Sequence, residues 1–310
     1  MTQSSMSPFA ADQASADPSG RAHVFDAPSP VSVVLDIAAG DVVRLVASPR
    51  ADVAVEVLPV EAGDPAGVRA AEHTHVELKG DRLVVRVPRA GGRRGVPEAG
   101  RAVSVSIELP EGSAVTGEAM PGVLSGQGRL GRVAFEAVTG RLRLDQTGSL
   151  HLDGVEGEVS IARVDGPARV SARSGRVRID RIEESATIRN KHGETGVGRC
   201  AGPLRLRGVT GSFHVRQALG DVDVSTAFGD VRLDEVRRGA VVVQAPNGAI
   251  DVGVREGSAA WLELRTVYGE LHNTLTVVDG PGAAGDVVQI RAYSVRGDVA
   301  IGRARPGEPG

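Results

Sequence analysis

Three aspartates, Asp221, Asp223 and Asp230, fall within the short phrase GDVDVSTAFGD. Neighbouring carboxylates with split pKa values are what general acid–base work on a polymer needs. The same spacing suits a solvated acidic face, and the outward slots nearby hold no aromatic platform for a sugar ring. Arginines are the second group with chemical potential: Arg141, Arg143, Arg169, Arg173, Arg176, Arg178 and Arg205. Guanidinium groups lined up on one surface hold a polyanion or an acidic partner. Acidic residues alternate nearby and stacking aromatics are missing, so nucleic acid is not the expected ligand. His73 and His75 flank Thr74 and would share a strand face, but no third metal ligand follows at fixed spacing. His151 and His214 face outward on separate repeats. Cys200 occupies a slot otherwise held by Val, Ile and Ala, which reads as a small buried hydrophobe. No catalytic, cofactor-binding or metal-ligating residue is assigned, and no cofactor is expected. Ser-His-Asp, phosphate-loop and dinucleotide motifs are absent, and the many G-D-V phrases lie between strands with no helix following.

These residues hang on a strict glycine rhythm. Gly131, Gly140, Gly148, Gly157, Gly166, Gly175, Gly193, Gly202, Gly211, Gly220, Gly229, Gly239 and Gly248 recur mostly nine residues apart, with Glu184 in one slot. The second and fourth residues after each mark from Gly140 to Gly248 are apolar, Thr195 alone excepted. Residues between them are mostly polar, which is the inside–outside alternation of strands. Each glycine is expected to make a turn. A further apolar slot recurs every eighteen residues at Val164, Ile182, Cys200, Ala218 and Val236, so the unit is two strands and two corners. Such coils stack into a β-solenoid with one continuous core. Calcium-binding nine-residue repeats need paired glycines and an Asp where this chain has Val224, Leu233 and Val243.

The totals agree with a globular protein. Of 310 residues, 41% are apolar, 24% charged and only 3% aromatic, and the net charge is −3. No global field draws the chain to nucleic acid or acidic lipid. A single cysteine makes no internal disulfide, and no stretch of about 18 apolar residues spans a membrane. The N-terminus lacks the basic start and apolar core of a signal peptide, so the expected location is the cytoplasm. Residues 1–22 and 304–310 read as disordered tails, 23–112 as an N-terminal β-strand region and 113–303 as the solenoid. Within the first region, 31–37, 42–48, 53–59 and 102–110 read as strands and 73–88 as a hairpin around Gly80-Asp81. Residues 89–101 and 276–286 read as loops, and no helix is expected.

The phrase GDVRLDEVRRGAVVVQAPNGAIDVGVREGSAAWLELRTVYGELHNTL (229–275), with AGDVVRLVASPRADVAVEVLP (39–59) and SIELPEGS (106–113), resembles the bacterial β-strand-repeat proteins called "putative adhesins", or toast-rack proteins. The resemblance covers roughly residues 24–303. It implies an all-β, single-chain β-solenoid (β-helix) of about 18-residue coils after an N-terminal β region. It carries no catalytic residues over. The expected function is a non-enzymatic scaffold or protein-interaction module, self-associating or binding a protein partner, without direct membrane insertion. Two alternatives are an envelope-stress-linked sensor recruited by a membrane partner, as the resemblance suggests, and a polysaccharide-active solenoid enzyme. The arginines Arg141, Arg143, Arg169, Arg176, Arg178 and Arg205 with Asp221, Asp223 and Asp230 form the candidate interaction surface.

Overall fold

A computed structural model describes residues 21–37, 40–88, 102–276 and 285–305. The N-terminal strands are β1 (Arg21–Asp26), β2 (Ser32–Asp36), β3 (Asp41–Ser48) and β4 (Asp52–Pro59). A helix α1 (Pro65–Glu72) precedes β5 (His75–Lys79), β6 (Arg82–Arg86) and β7 (Val103–Pro110). Next comes β8 (Ala114–Val164), which runs through several corners without a break, then β9 (Ala168–Ile182), β10 (Ala186–His192) and β11 (Thr195–Cys200). The ladder continues with β12 (Leu204–Thr210), β13 (Phe213–Ala218), β14 (Val222–Ser225), β15 (Val231–Val236), β16 (Gly239–Gln244) and β17 (Ile250–Val254). It finishes with β18 (Ser258–Arg265), β19 (Leu271–Asn273), β20 (Asp286–Tyr293) and β21 (Val299–Arg303). The chain is an all-β solenoid. The two expected loops, 89–101 and the bulk of 276–286, lie outside the described residues.

Parallel pairing puts residues eighteen apart side by side. Ala168, Ala186, Leu204 and Val222 stack on one face, and Val159, Val177, Thr195, Phe213 and Val231 on the other. Every inner slot of the glycine rhythm is buried, from Leu142 to Val252. Thr195, the polar exception, is buried too, and its hydroxyl accepts from Asn190 Nδ2 at 3.2 Å. Asn190 also donates to the carbonyls of Gly175 and Glu194 at 3.1 and 3.3 Å. Asn190 Nδ2 thus answers the Thr195 hydroxyl inside the core, while Asn190 Oδ1 is buried without a hydrogen-bond partner.

The two corners of each coil differ in kind. Where the first face turns into the second, Gly140, Gly157, Gly175, Gly193, Gly211 and Gly229 all have φ between +119° and +149°. A Cβ on Gly175 would overlap the Gly157 carbonyl oxygen, and one on Gly211 that of Gly193. Glycine is required there by both the backbone and the coil beneath. At the opposite corner the buried residues are Val164, Ile182, Cys200, Ala218 and Val236, and the glycine marks Gly148, Gly166, Gly202 and Gly220 have no positive φ. A Cβ on Gly220 would come no closer than 3.3 Å to its neighbours, while one on Gly166 or Gly202 would lie 2.6 or 2.8 Å from the carbonyl oxygen beneath; Gly239 in this column has φ +90°, and Glu184 occupies one position outright.

One extra residue between Val236 and Val241 lengthens the spacing to nineteen across it: Val222 pairs with Val241, and Val231 with Ile250. Asp221 accepts from Ala240 N–H and Asp230 from Ala249 N–H, both at 2.8 Å.

Both ends break chain order. β2 lies between β6 and β8, and β3 between β7 and β8. At the other end β20 lies between β16 and β18, and β21 between β17 and β19. The sequence rhythm places 287–302 after the 258–275 coil; in space it is inserted before it.

The N-terminal region is hydrogen-bonded onto the solenoid and caps it. Beyond β7 the pairing turns antiparallel, with β4 on β7, β1 on β4 and β5 on β6. The hairpin at Gly80 is as expected. The helix α1 is not, and it corrects the reading of 63–75. Asp64 is its N-cap, accepting from Ala66 N at 3.1 Å and Gly67 N at 2.9 Å, with Pro65 at the first helical position, where its missing N–H costs nothing. Only Gly67, Ala70 and Ala71 are buried, so no large apolar stripe marks the helix. His73 is its C-cap, with Nδ1 at 2.7 Å from the Arg69 carbonyl. His73 and His75 therefore do not share a strand face.

Candidate functional site

The middle coils carry a basic belt. Residues 168–217 hold 11 Arg and Lys against four Asp and Glu, while 114–167 hold five against seven and 218–256 four against seven. Inner slots are filled by the core, so almost all of this charge lies outward. Face one presents Arg169, Arg189, Arg205 and Arg207; face two presents Arg176, Arg178, Arg181, Arg199 and Arg216. Arg181 and Arg199 stand directly one above the other, and neither has an ion-pair partner among the described residues. Stacked like charges repel, so this arrangement is a cost that an anion relieves.

Face two is interrupted by a depression of about 520 Å³. Its floor is Gly196 and Gly198 on β11. Register places Arg178 on one side of Gly196 and His214 on the other. Arg176, Asp180, Glu194, Ser212 and Arg216 complete the walls. A Cβ on Gly196 would meet nothing within 4 Å. Packing does not demand glycine there, unlike at the corners, and the missing side chain is what opens the depression. Gly198 is constrained, because a Cβ there would overlap the Asp180 carbonyl oxygen.

The charges around the depression are unevenly matched. Asp180 Oδ1 is 3.1 Å from Arg178 Nε and 3.9 Å from Arg216 Nη2, so one carboxylate serves two guanidinium groups. Arg176 pairs with Glu194 at 3.1 Å. All five side chains are more than two-fifths exposed, and such pairs are worth under about 1 kcal/mol, so an incoming anion exchanges with them readily. His214 Nε2 is 2.7 Å from Asp234, which Arg232 also holds at 2.6 Å. Burial pushes the Asp234 carboxyl up, and hydrogen bonds from Arg232 and His214 outweigh it, leaving it below its ordinary value.

The structure scatters the residues singled out in the sequence. Arg176 and Arg178 meet at the depression. Arg169 and Arg205 lie on the other face, Arg205 at 3.4 Å from Asp223. Arg141 pairs with Glu158 at 3.2 Å, Arg173 with Glu156 at 3.0 Å, and Arg143 is exposed on an earlier coil. Asp221 and Asp230 cap corner amides. Asp223 is clamped by Arg207, whose hydrogen bonds, with help from Arg205, hold its carboxyl below the usual range. Gly196, Gly198, Arg216, Asp180 and Glu194 escaped the sequence reading as site residues. Their signal was present: TGVGRC is the repeat whose outward slots read Gly-x-Gly.

Cys200 is buried, its Sγ 3.3 Å from the Gly202 carbonyl oxygen. Burial pushes its thiol up to about 11. Among the described residues no group of three His, Cys, Asp or Glu is placed to hold a metal ion, and no helix is long and apolar enough to cross a membrane.

No protein-family model matches the chain, and no curated protein matches it. Solved structures of similar architecture are named as follows. A "putative adhesin" from Parabacteroides merdae ATCC 43184 is 6% identical, with 93% of this chain and 98% of that chain covered at a TM-score of 0.35. A "putative adhesin" from Bacteroides fragilis NCTC 9343 is 10% identical, covering 92% and 98% at 0.32. A "putative lipid binding protein" from Parabacteroides distasonis ATCC 8503 is 11% identical, covering 93% and 98% at 0.31. At these identities and TM-scores the likeness says nothing of ligand or partner. Two of the three bear the name of the "putative adhesin" family that the sequence resembles.

Proposed function

We propose that this chain is a non-enzymatic interaction module whose basic belt holds an acidic protein partner. The observation that carries the reading is the concentration of 11 cations against four anions on the middle coils of a chain with net charge −3. A rigid parallel ladder sets paired slots about 4.8 Å apart along the axis, as for Arg189 beside Arg207 and Arg181 beside Arg199, a spacing that suits a row of carboxylates. The aspartates that suggested acid–base chemistry are engaged elsewhere, two on backbone amides and one by arginine, which favours binding over catalysis. The test is titration of the protein with a fluorescein-labelled octaglutamate peptide at low and high salt. Saturable binding that weakens steeply with salt supports the reading. No binding at low salt overturns it.

A second reading, self-association, draws on the C-terminal end. There β18 and β19 form the outermost coil, and Trp261, Val267, Tyr268 and Leu271 are each about half exposed or more. The inner residues Ala260, Leu262 and Leu264 are only partly covered. The opposite end is built differently, from α1 and antiparallel strands, so it does not offer the parallel coil edge that a head-to-tail filament would continue. The association this end favours is a closed pair of two copies. Light scattering over a concentration series checks it: a monomer–dimer transition lost in Trp261→Asp supports the pair, and a strict monomer sinks it.

A further inference from the structure

We infer that the depression over Gly196 and Gly198 is the anchor of the belt, a pocket for one carboxylate of the acidic partner. This rests on the reading above and names the point at which it acts.

Three observations converge on the pocket. Gly196 has an open Cβ position, so its lack of a side chain serves neither a turn nor a close approach. Arg178 and Arg216 flank the two glycines and share a single counter-ion, Asp180, at 3.1 and 3.9 Å. Two guanidinium groups with one carboxylate leave one positive charge unmatched, beside the unpaired stack of Arg181 and Arg199. A carboxylate entering over Gly196 reaches the guanidinium of Arg178 or Arg216 without displacing any side chain from the floor. It completes a two-cation, two-anion arrangement with charge-assisted hydrogen bonds. Elsewhere on the two faces of the belt an approaching carboxylate meets a side chain at each outward slot. The pocket therefore sets the register of an extended acidic segment, and the remaining arginines add attraction.

The experiment compares wild type, Gly196→Val and Arg216→Gln in octaglutamate binding, followed by fluorescence anisotropy. Thr187→Val, an outward substitution on face one between Arg169 and Arg205, is the control. Gly196→Val fills the pocket while suiting a strand, so circular dichroism and thermal midpoint stay at wild-type values. The expected result is about tenfold weaker binding for Gly196→Val and Arg216→Gln, with Thr187→Val unchanged. Should Gly196→Val fail to fold, Arg216→Gln alone decides. Wild-type affinity in the pocket variants overturns the anchor and leaves the belt standing. If wild type itself does not bind the peptide, the belt fails, and the anchor with it.

Discussion

The two corners of the coil solve one problem in opposite ways. Each must reverse the chain and let the next coil sit directly on it. One corner does so with backbone: glycines at positive φ, each lying against the carbonyl of the glycine beneath, with Asn190 and Thr226 tying their side chains to the carbonyls of Gly175 and Gly211. The other does so with side chains: Val164, Ile182, Cys200, Ala218 and Val236 fill the bend, and Glu184 stands in place of the glycine in one coil. Both corners show the same letter at the same period. A repeated glycine therefore marks a corner without telling which force shaped it, and Glu184 is the residue that separates the two.

The sharpest way to break this contrast is Gly211→Ala. It demands a positive φ of an L-residue and drives a methyl into the Gly193 carbonyl. A loss of about 3–5 kcal/mol is expected in urea unfolding, combining backbone strain and overpacking. An effect below about 1 kcal/mol would show that the coils separate easily. At the packed corner, Ile182→Ala should cost about 2–5 kcal/mol by emptying a fully buried site. The looser positions of the second column should hardly respond: Gly220→Ala stays within about 1 kcal/mol, and Glu184→Gly loses roughly 0.5–1 kcal/mol through added freedom of the unfolded chain. Equal losses for Gly211→Ala and Gly220→Ala would erase the distinction.

Two smaller effects use the same corners as reporters. With its thiol pushed up to about 11, Cys200 is thiolate in only about one molecule in a thousand at pH 8, and it is buried. A thiol reagent should label it at the rate of unfolding and no faster. Rapid labelling of the native protein would mean that the packed corner opens on its own. Asp223 supplies the pH signal. Its folded pKa is lowered, chiefly by the hydrogen bonds from Arg207. Its contribution is thus complete above the ordinary carboxylate value of about 3.9 and is lost as pH falls through the lower folded value. Arg207→Gln should flatten that part of the stability-against-pH curve slightly.

The solenoid was legible because its inner slots repeat without an apolar gap, and a buried ladder punishes any exception. Thr195 broke the pattern and still proved buried, since Asn190 answers it. What spacing could not reveal was adjacency. The order of coils at either end depends on which strand finds which edge, and the alternation of 287–302 reads the same wherever it is inserted. The helix escaped because Gly67, Ala70 and Ala71 bury too little to leave a periodic mark. At the candidate site, the arginines were visible as a class, but the depression is made of absent side chains. Gly196 and Gly198 looked like two more glycines in a chain with 41. The carboxylates were opaque for a related reason: a Gly-Asp pair at an outward slot reads as a solvated charge until the nineteen-residue pairing reveals the amides that Asp221 and Asp230 serve.

Insertion of β2 and β3 at one end, and of β20 and β21 at the other, dictates how the chain can be assembled on the ribosome. Middle coils can zip up one after another as they emerge. The coil of β18 and β19 cannot take its final place in that way, because its ladder partners are residues 286–303, which are made after it. Until those residues emerge, β16 and β17 present an open parallel edge. β20 and β21 then seat with a ladder on each side at once, so that fraying of this end cannot begin at either of them.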